Sequence, residues 1–172
     1  LWDIPRKRVM SYCGQDSSAE VKEHMHECSG AGTAQLGFGF RRLPTVELHE
    51  SGHQPMYDEK LELAIIFNGE IYNHMQLRAE LQSMDYRFFS PSDTEVIIKA
   101  YHAWGDECVH KFIGMWAFSI WDPRRQRLFM SRDRYGVKPF YYCRVGDMLY
   151  WGSEMKQLLQ SPIKRDLNTA MI

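Results

Sequence analysis

Leu61-Glu62-Leu63-Ala64-Ile65-Ile66-Phe67-Asn68-Gly69-Glu70-Ile71-Tyr72-Asn73 is the stretch whose reading decides the fold. From Leu61 to Phe67 it is almost continuously apolar, which predicts a strand buried on both faces. Asn68-Gly69 tolerates positive φ and predicts a sharp turn that ends this strand. A polar, glycine-containing turn behind a buried strand would also put a side-chain amide and an unpaired backbone N–H in one place. Two such donors suit a developing oxyanion, where losing one typically costs about 3 kcal/mol of barrier. A plain hairpin turn fits the same residues.

Working outward, Asn73 is placed to cap a helix whose Leu77, Leu81 and Met84 fall at helical spacing. Ser92 and Glu95 read as a capping box with Asp93 in the first turn. Val96, Ile97, Ala100, Tyr101 and Trp104 then form one apolar stripe that Gly105 is placed to end. Further on, Trp116, Phe118 and Ile120 alternate with Ala117, Ser119 and Trp121, so a strand there has both faces covered. Asp122-Pro123 turns the chain back through Leu128 to Met130. Phe140 to Cys143 and Met148 to Trp151 read as a hairpin around Gly146-Asp147, and Ser153 as the cap of a short helix through Leu159. On the upstream side, Leu36 to Leu43 and Thr45 to Leu48 read as short strands punctuated by Gly37, Gly39 and Pro44. Strands joined by tight turns with helices grouped between them give an α+β class, antiparallel sheets covered by helices.

The chain has 172 residues, 44% of them apolar and 13% aromatic, so it is a core-forming chain and neither disordered nor collagen-like. Twenty-one basic and twenty-two acidic side chains leave a formal charge of -1, without the basic footprint of a nucleic-acid binder. No apolar run approaches the roughly 18 residues of a membrane span, and no signal peptide opens the chain. The scattered cysteines Cys13, Cys28, Cys108 and Cys143 fit reduced thiols in a cytoplasmic protein. Texture divides the chain into a polar, atypical segment over 1–33, a domain over 34–160, and the start of a linker over 161–172. With Leu1 in place of Met and an ending in mid-phrase, the whole reads as a piece of something longer.

Several residues could carry chemistry. Arg42 lies within an apolar strand pattern, where it could offer a fork of hydrogen bonds to a carboxylate or form a structural ion pair. Asp93, in a first helical turn, could receive a substrate ammonium or simply complement the helix dipole. The run Ser131-Arg132-Asp133-Arg134-Tyr135-Gly136-Val137-Lys138-Pro139-Phe140 predicts an ordered loop with internally paired Arg and Asp groups. His24-x-His26-x-Cys28 has ligand-type residues, but not the spacing of common zinc motifs, so no metal site is expected.

Taken in order, Arg42-Leu43, Gly52-His53-Gln54-Pro55-Met56, Asn68 to Asn73, Ser92-Asp93-Thr94-Glu95, Gly114-Met115-Trp116-Ala117-Phe118, Arg132-Asp133, Lys138-Pro139 and Ser153-Glu154-Met155-Lys156 form a recognisable set. The chain resembles the glutaminase domain of class II glutamine amidotransferases, in particular the N-terminal half of glutamine-hydrolysing asparagine synthetases. The resemblance runs from Leu36 to Gln160. It implies an N-terminal-nucleophile hydrolase fold, two antiparallel sheets packed between helical layers. It implies a thiol nucleophile at an N-terminal Cys, with the Asn68 side chain and Gly69 backbone as oxyanion hole. Arg42 would grip the glutamine α-carboxylate, Glu70 and Asp93 the α-amino end, and the backbone of Leu43, Pro44, Thr45 and Val46 would line the pocket. The implied partners are glutamine and a synthetase domain of the same parent chain, which would use ATP and Mg to amidate aspartate; a homodimer is compatible with this. No cofactor is implied for the glutaminase domain itself.

Some positions depart from the pattern. Leu1-Trp2-Asp3-Ile4-Pro5 does not match the family's Cys-Gly opening. Cys13-Gly14 is a poor substitute, being followed by Gln15-Asp16-Ser17-Ser18 and standing too close to Arg42. Glu23 to Gly30 falls where an Arg-Gly-Pro-Asp segment belongs, and Pro44 replaces a Ser, removing one backbone donor. Two expectations follow: an active parent enzyme whose N-terminal portion is truncated or altered here, leaving this chain inactive alone, or a retired scaffold acting as a non-catalytic glutamine-binding or domain-docking module.

Overall fold

The computed structural model describes residues 36–40 and 53–163, together with four two-residue strands nearer the amino terminus. The chain separates into two compact units, Leu1–Thr45 and Val46–Ile172. In the first, β1 (Trp2–Asp3) pairs antiparallel with β2 (Arg8–Val9), and β3 (Tyr12–Cys13) pairs parallel with β4 (His26–Glu27). The strand expected from Leu36 is not formed over 36–40. Leu36 makes an isolated bridge and the residues after it have no regular structure, in keeping with the weakening effect of Gly37 and Gly39 on a ladder. The strand expected over Thr45 to Leu48 lies outside the described residues.

In the second unit, β5 (Met56–Asp58), β6 (Leu63–Ile71), β7 (Gly114–Asp122) and β8 (Arg127–Arg132) form one antiparallel sheet in that order. The apolar run becomes β6, but burial alternates along it. Leu63, Ile65, Phe67 and Ile71 are buried, while Ala64, Ile66 and Asn68 on the other face are half-covered. The expected double-sided burial is therefore corrected to one sealed face and one partial face. Nor does the strand stop at Phe67: Asn68 and Gly69 stand opposite Ala117 and Trp116, and pairing continues to Ile71 opposite Gly114. Pairing with β7 outweighs the local turn preference of the dipeptide.

The sealed face packs on α1 (His74–Ser83) and α2 (Asp93–Trp104). Leu77, Leu81, Val96, Ile97, Ala100 and Tyr101 close the core against Trp116, Phe118 and Ile120 of β7. Phe112 stands edge-on to Trp116, with ring centroids 5.7 Å apart, a favoured aromatic geometry. The Met84 expected on the apolar face is exposed instead. Gly105 ends α2 as expected, with φ 61° and its N–H donating to Tyr101 O, and a short 3-10 turn (Gly105–His110) leads on.

Three capping expectations are corrected. Asn73 occupies the N-cap of α1, but its amide acts like a peptide group elsewhere, Nδ2 donating to Lys111 O and Oδ1 accepting from Ile113 N, both at 2.9 Å. Ser92 caps α2 by accepting from Thr94 N, yet Glu95 does not complete a box. Its carboxylate takes Ser90 N at 2.7 Å, Phe89 N at 2.9 Å and the Lys99 ammonium at 2.9 Å. The last helix, α3 (Met155–Leu158), is capped by Glu154 with Gln157, not by Ser153. Glu154 has the extended backbone an N-cap needs, and the Gln157 side chain reaches back to its N–H.

Lys99 lies buried between Glu95 and Asp58 of β5, 2.7 Å from Asp58 Oδ2. Asp58 Oδ1 also accepts from Lys60 N and Leu61 N. This closed charge cluster ties α2 to the start of the sheet.

The hairpin of β9 (Tyr141–Val145) and β10 (Met148–Gly152) forms around Gly146, φ 58°, as the sequence predicts. Ahead of it, the loop from Asp133 is ordered, although its Arg and Asp do not pair with each other. Asp133 accepts backbone N–H groups from Trp116, Tyr135, Val137 and Lys138. Arg132 donates to the carbonyls of Gly136 and Lys138 at 2.6 and 2.7 Å. Burial opposes ionisation of Asp133, but these backbone donors outweigh it and hold the carboxyl below its ordinary value.

Because the folded pKa of Asp133 is depressed, its stabilisation is present above about pH 4 and lost as pH falls through the lower folded value. Between pH 4 and 2, urea midpoints should therefore fall more steeply for the wild type than for Asp133→Asn. At neutral pH the variant should lose about 1–3 kcal/mol. Lys99→Met should cost about 3–5 kcal/mol, since it strands two buried carboxylates; denaturant unfolding measures both.

Candidate functional site

Strand parity builds the site. Gln54 Oε1 accepts from Phe67 N at 2.6 Å and Asp93 Oδ2 accepts from Ile71 N at 3.0 Å. The unbroken register with β7 makes odd-numbered residues of β6 direct their N–H groups to the opposite edge, the β5 side. Beyond Met56, which stands opposite Ile65, β5 no longer covers that edge. Gly69 therefore presents its N–H there, between two N–H groups that side chains have taken, and no described residue accepts from it.

Glycine is required at this point for space. A Cβ on Gly69 would overlap the Met115 carbonyl oxygen and come within 2.8 Å of Trp116 Cα. The neighbouring Asn68 projects from the sheet face away from the helices. Its half-buried amide has no hydrogen-bond partner among the described residues. Two donors without a partner among the described residues, one side chain and one backbone, thus stand on consecutive residues.

Asp93 comes to the same edge through α2. The Ser92 cap starts the helix there, and Asp93 in its first turn reaches the strand. The structure therefore places Asp93 at the β6 edge two residues beyond Gly69, while the Asn68 side chain lies on the open face of the same strand. Glu70 shares the outward face with Asn68 and is exposed. Arg42, Leu43, Pro44, Thr45 and Val46 lie outside the described residues, as do the side chain of Cys13 and the residues His24 and Cys28. Among the described residues no group of His, Cys, Asp or Glu is placed to hold a metal ion, and no helix is long and apolar enough to cross a membrane.

Sequence reasoning named Gln54 only as part of a motif, although it caps the edge beside Gly69. Its place next to Pro55, ahead of a short strand, was the available signal. The Asp58–Lys99–Glu95 cluster was also missed; Glu95 and Lys99 at i,i+4 in an otherwise apolar helix could have revealed it. A cleft of about 370 Å³ opens over this cluster, lined by Asp58, Lys60, Leu61, Tyr86, Arg87 and Lys99 among others, and does not include Asn68, Gly69 or Asp93.

The pattern of the glutamine amidotransferase domain matches residues 23–172. The chain belongs to this glutamine amidotransferase family. The glutamine-hydrolysing asparagine synthetase 1 of Bacillus subtilis (strain 168) is 44% identical to it over 124 residues, 72% of this chain and 20% of that protein. A putative glutamine-hydrolysing asparagine synthetase of Methanocaldococcus jannaschii is 41% identical over 138 residues, covering 72% of this chain and 26% of the relative. The amidotransferase chain thus spans a fifth to a quarter of these relatives.

Among solved structures, the glutamine phosphoribosylpyrophosphate amidotransferase of B. subtilis with ADP and GMP aligns at TM-score 0.53 and 24% identity, over 61% of this chain and 25% of that one. At that identity the likeness establishes the fold, the α+β N-terminal-nucleophile hydrolase class that the sequence implied.

Gly69→Ala should destabilise this amidotransferase domain by about 1–3 kcal/mol, through overpacking against the β7 backbone. A shift of that size in the urea midpoint is expected; an unchanged midpoint would show that the two strands stand further apart at Gly69.

Proposed function

We propose that this chain is the glutamine-binding and glutamine-hydrolysing domain of an asparagine synthetase-type ligase. One observation carries the reading: the Asn68 amide and Gly69 N–H, neither with a partner among the described residues, are adjacent, with the Asp93 carboxylate at the same edge. In the parent protein the thiol of an N-terminal Cys, deprotonated by its own α-amine, would attack the side-chain amide carbon of glutamine and push an electron pair onto the carbonyl oxygen. Asn68 Nδ2 and Gly69 N–H donate to that oxyanion, which stabilises the transition state more than the ground state. Collapse of the intermediate, with the proton held on that α-amine passed to the leaving nitrogen, would release ammonia and leave a thioester, which water hydrolyses to glutamate and the free thiol.

Asp93 suits the substrate α-ammonium, assisted by Glu70, and Arg42 would hold the α-carboxylate through its planar fork. The backbone of Leu43 to Val46 would line the pocket. Cys108 does not supply the thiol: burial, reinforced by Asp106, pushes its pKa up to about 12, so it stays protonated and inert. The ammonia would pass to a synthetase domain of the parent protein, which would bind ATP and Mg and amidate aspartate.

Calorimetry with L-glutamine and assay of glutamate release test this reading. Asp93→Ala should weaken glutamine binding about tenfold to a hundredfold, by loss of a charged hydrogen bond. Asn68→Ala should leave binding within a few-fold and lower any turnover roughly a hundredfold. Binding without glutamate release would fit both the expected inactivity of this chain alone and a glutamine-binding module; release restored by a chain that begins with the family's Cys-Gly would separate them. Absence of glutamine binding, or equal binding by Asp93→Ala, would overturn the proposal.

A further inference from the structure

We propose that Gln54 is a positioning residue that, with Asp93, closes the edge of β6 on either side of Gly69 and so leaves one backbone donor open in a fixed orientation. This rests on the glutamine reading above only for what the open donor serves; the arrangement of the edge stands on geometry. Three N–H groups of β6, those of Phe67, Gly69 and Ile71, point to an edge that β5 leaves beyond Met56 and that no other described strand covers. An open edge of this kind is a site of adventitious pairing and fraying. Here Gln54 Oε1 takes the first N–H at 2.6 Å and Asp93 Oδ2 takes the third at 3.0 Å. Only Gly69, between them, is without a described acceptor.

The chemistry at position 54 follows from this geometry. Gln54 is buried, 8% exposed, so each half of its amide needs a partner. Its oxygen serves the strand, while its Nε2 faces Thr94 Oγ1 at 3.5 Å, in the first turn of α2 beside Asp93. One side chain thereby links the strand two residues before Gly69 to the helix turn that carries Asp93. An acceptor alone would hold the strand; an apolar residue of the same length would hold neither. For a carbonyl-polarising donor, a fixed direction matters because a reorienting N–H gives up part of its stabilisation when charge develops.

The experiment is amide hydrogen exchange by NMR on the 15N-labelled 172-residue chain, followed by titration with L-glutamine. After correction for intrinsic rates, Phe67 and Ile71 should exchange at least about tenfold more slowly than Gly69. Gln54→Met, which preserves length and volume, should speed exchange at Phe67 by about tenfold or more while leaving Ile71 within a few-fold. Gln54→Glu, which keeps the acceptor oxygen, should restore protection at Phe67. In the titration, the Gly69 amide resonance should move, and Gln54→Met should weaken glutamine affinity about tenfold, with Gln54→Glu recovering most of it.

Protection of Gly69 equal to that of its neighbours would overturn the proposal, as would unchanged Phe67 exchange in Gln54→Met. Equal glutamine affinity in the wild type and Gln54→Met would remove the positioning role. A wild type that shows this exchange pattern without binding glutamine would support the edge arrangement and sink the functional reading instead. Should Gln54→Met fail to fold, the wild-type pattern and Gln54→Glu decide the matter.

Discussion

The antiparallel register between β6 and β7 is the constraint on which the rest depends. It sets opposite Asn68 and Gly69 the backbone of Ala117 and Trp116. From that register follows the direction of every N–H on β6, the face from which Asn68 projects, and the close approach that only glycine permits at position 69. The same register places Leu63, Ile65, Phe67 and Ile71 on one face, where α1 and α2 cover them. Core and candidate site are thus two sides of one ladder: the hydrophobic face fixes the strand, and the strand's free edge carries the polar chemistry.

The edge is made selective by side chains. Where a longer β5 would have taken all the N–H groups, Gln54 and Asp93 take two and leave one without a described acceptor. Asp93 is consequently part of the scaffold as well as a candidate ligand, because one of its oxygens is engaged by Ile71. Deep to this edge, the buried Asp58–Lys99–Glu95 cluster anchors the middle of α2 to β5. The helix therefore meets the sheet through two polar ties, one at its first turn and one nearly two turns further on, with apolar packing between them.

Much of this was legible from residue order. The alternation of Trp116, Phe118 and Ile120 with Ala117, Ser119 and Trp121, the stripe from Val96 to Trp104, and the stop at Gly105 are local patterns, and the structure keeps them. What failed was what depends on distant partners. Asn68-Gly69 has turn propensity, but β7 extends it into a ladder. Glu95 has capping-box spacing, but Ser90 and Lys99 claim its carboxylate. Asn73 has cap chemistry, but the peptide groups of Lys111 and Ile113 claim its amide. Asp93 was recognisable as a first-turn acid; its bond to Ile71 N could be known only once helix and strand were seen together. The part of the proposed pocket from Leu43 to Val46 rested on family likeness alone, and for Arg42 the residues offered only a carboxylate fork or an ion pair.

The loop after β8 carries a separate consequence. Its outline is held by Asp133 and Arg132 through main-chain groups, while Tyr135 points almost wholly into solvent, 93% exposed. Shape is thereby uncoupled from surface identity. Residues 134, 135 and 137 can therefore be exchanged by mutation without rewriting the turn that presents them, so the exterior patch can change character while its frame stays as it is.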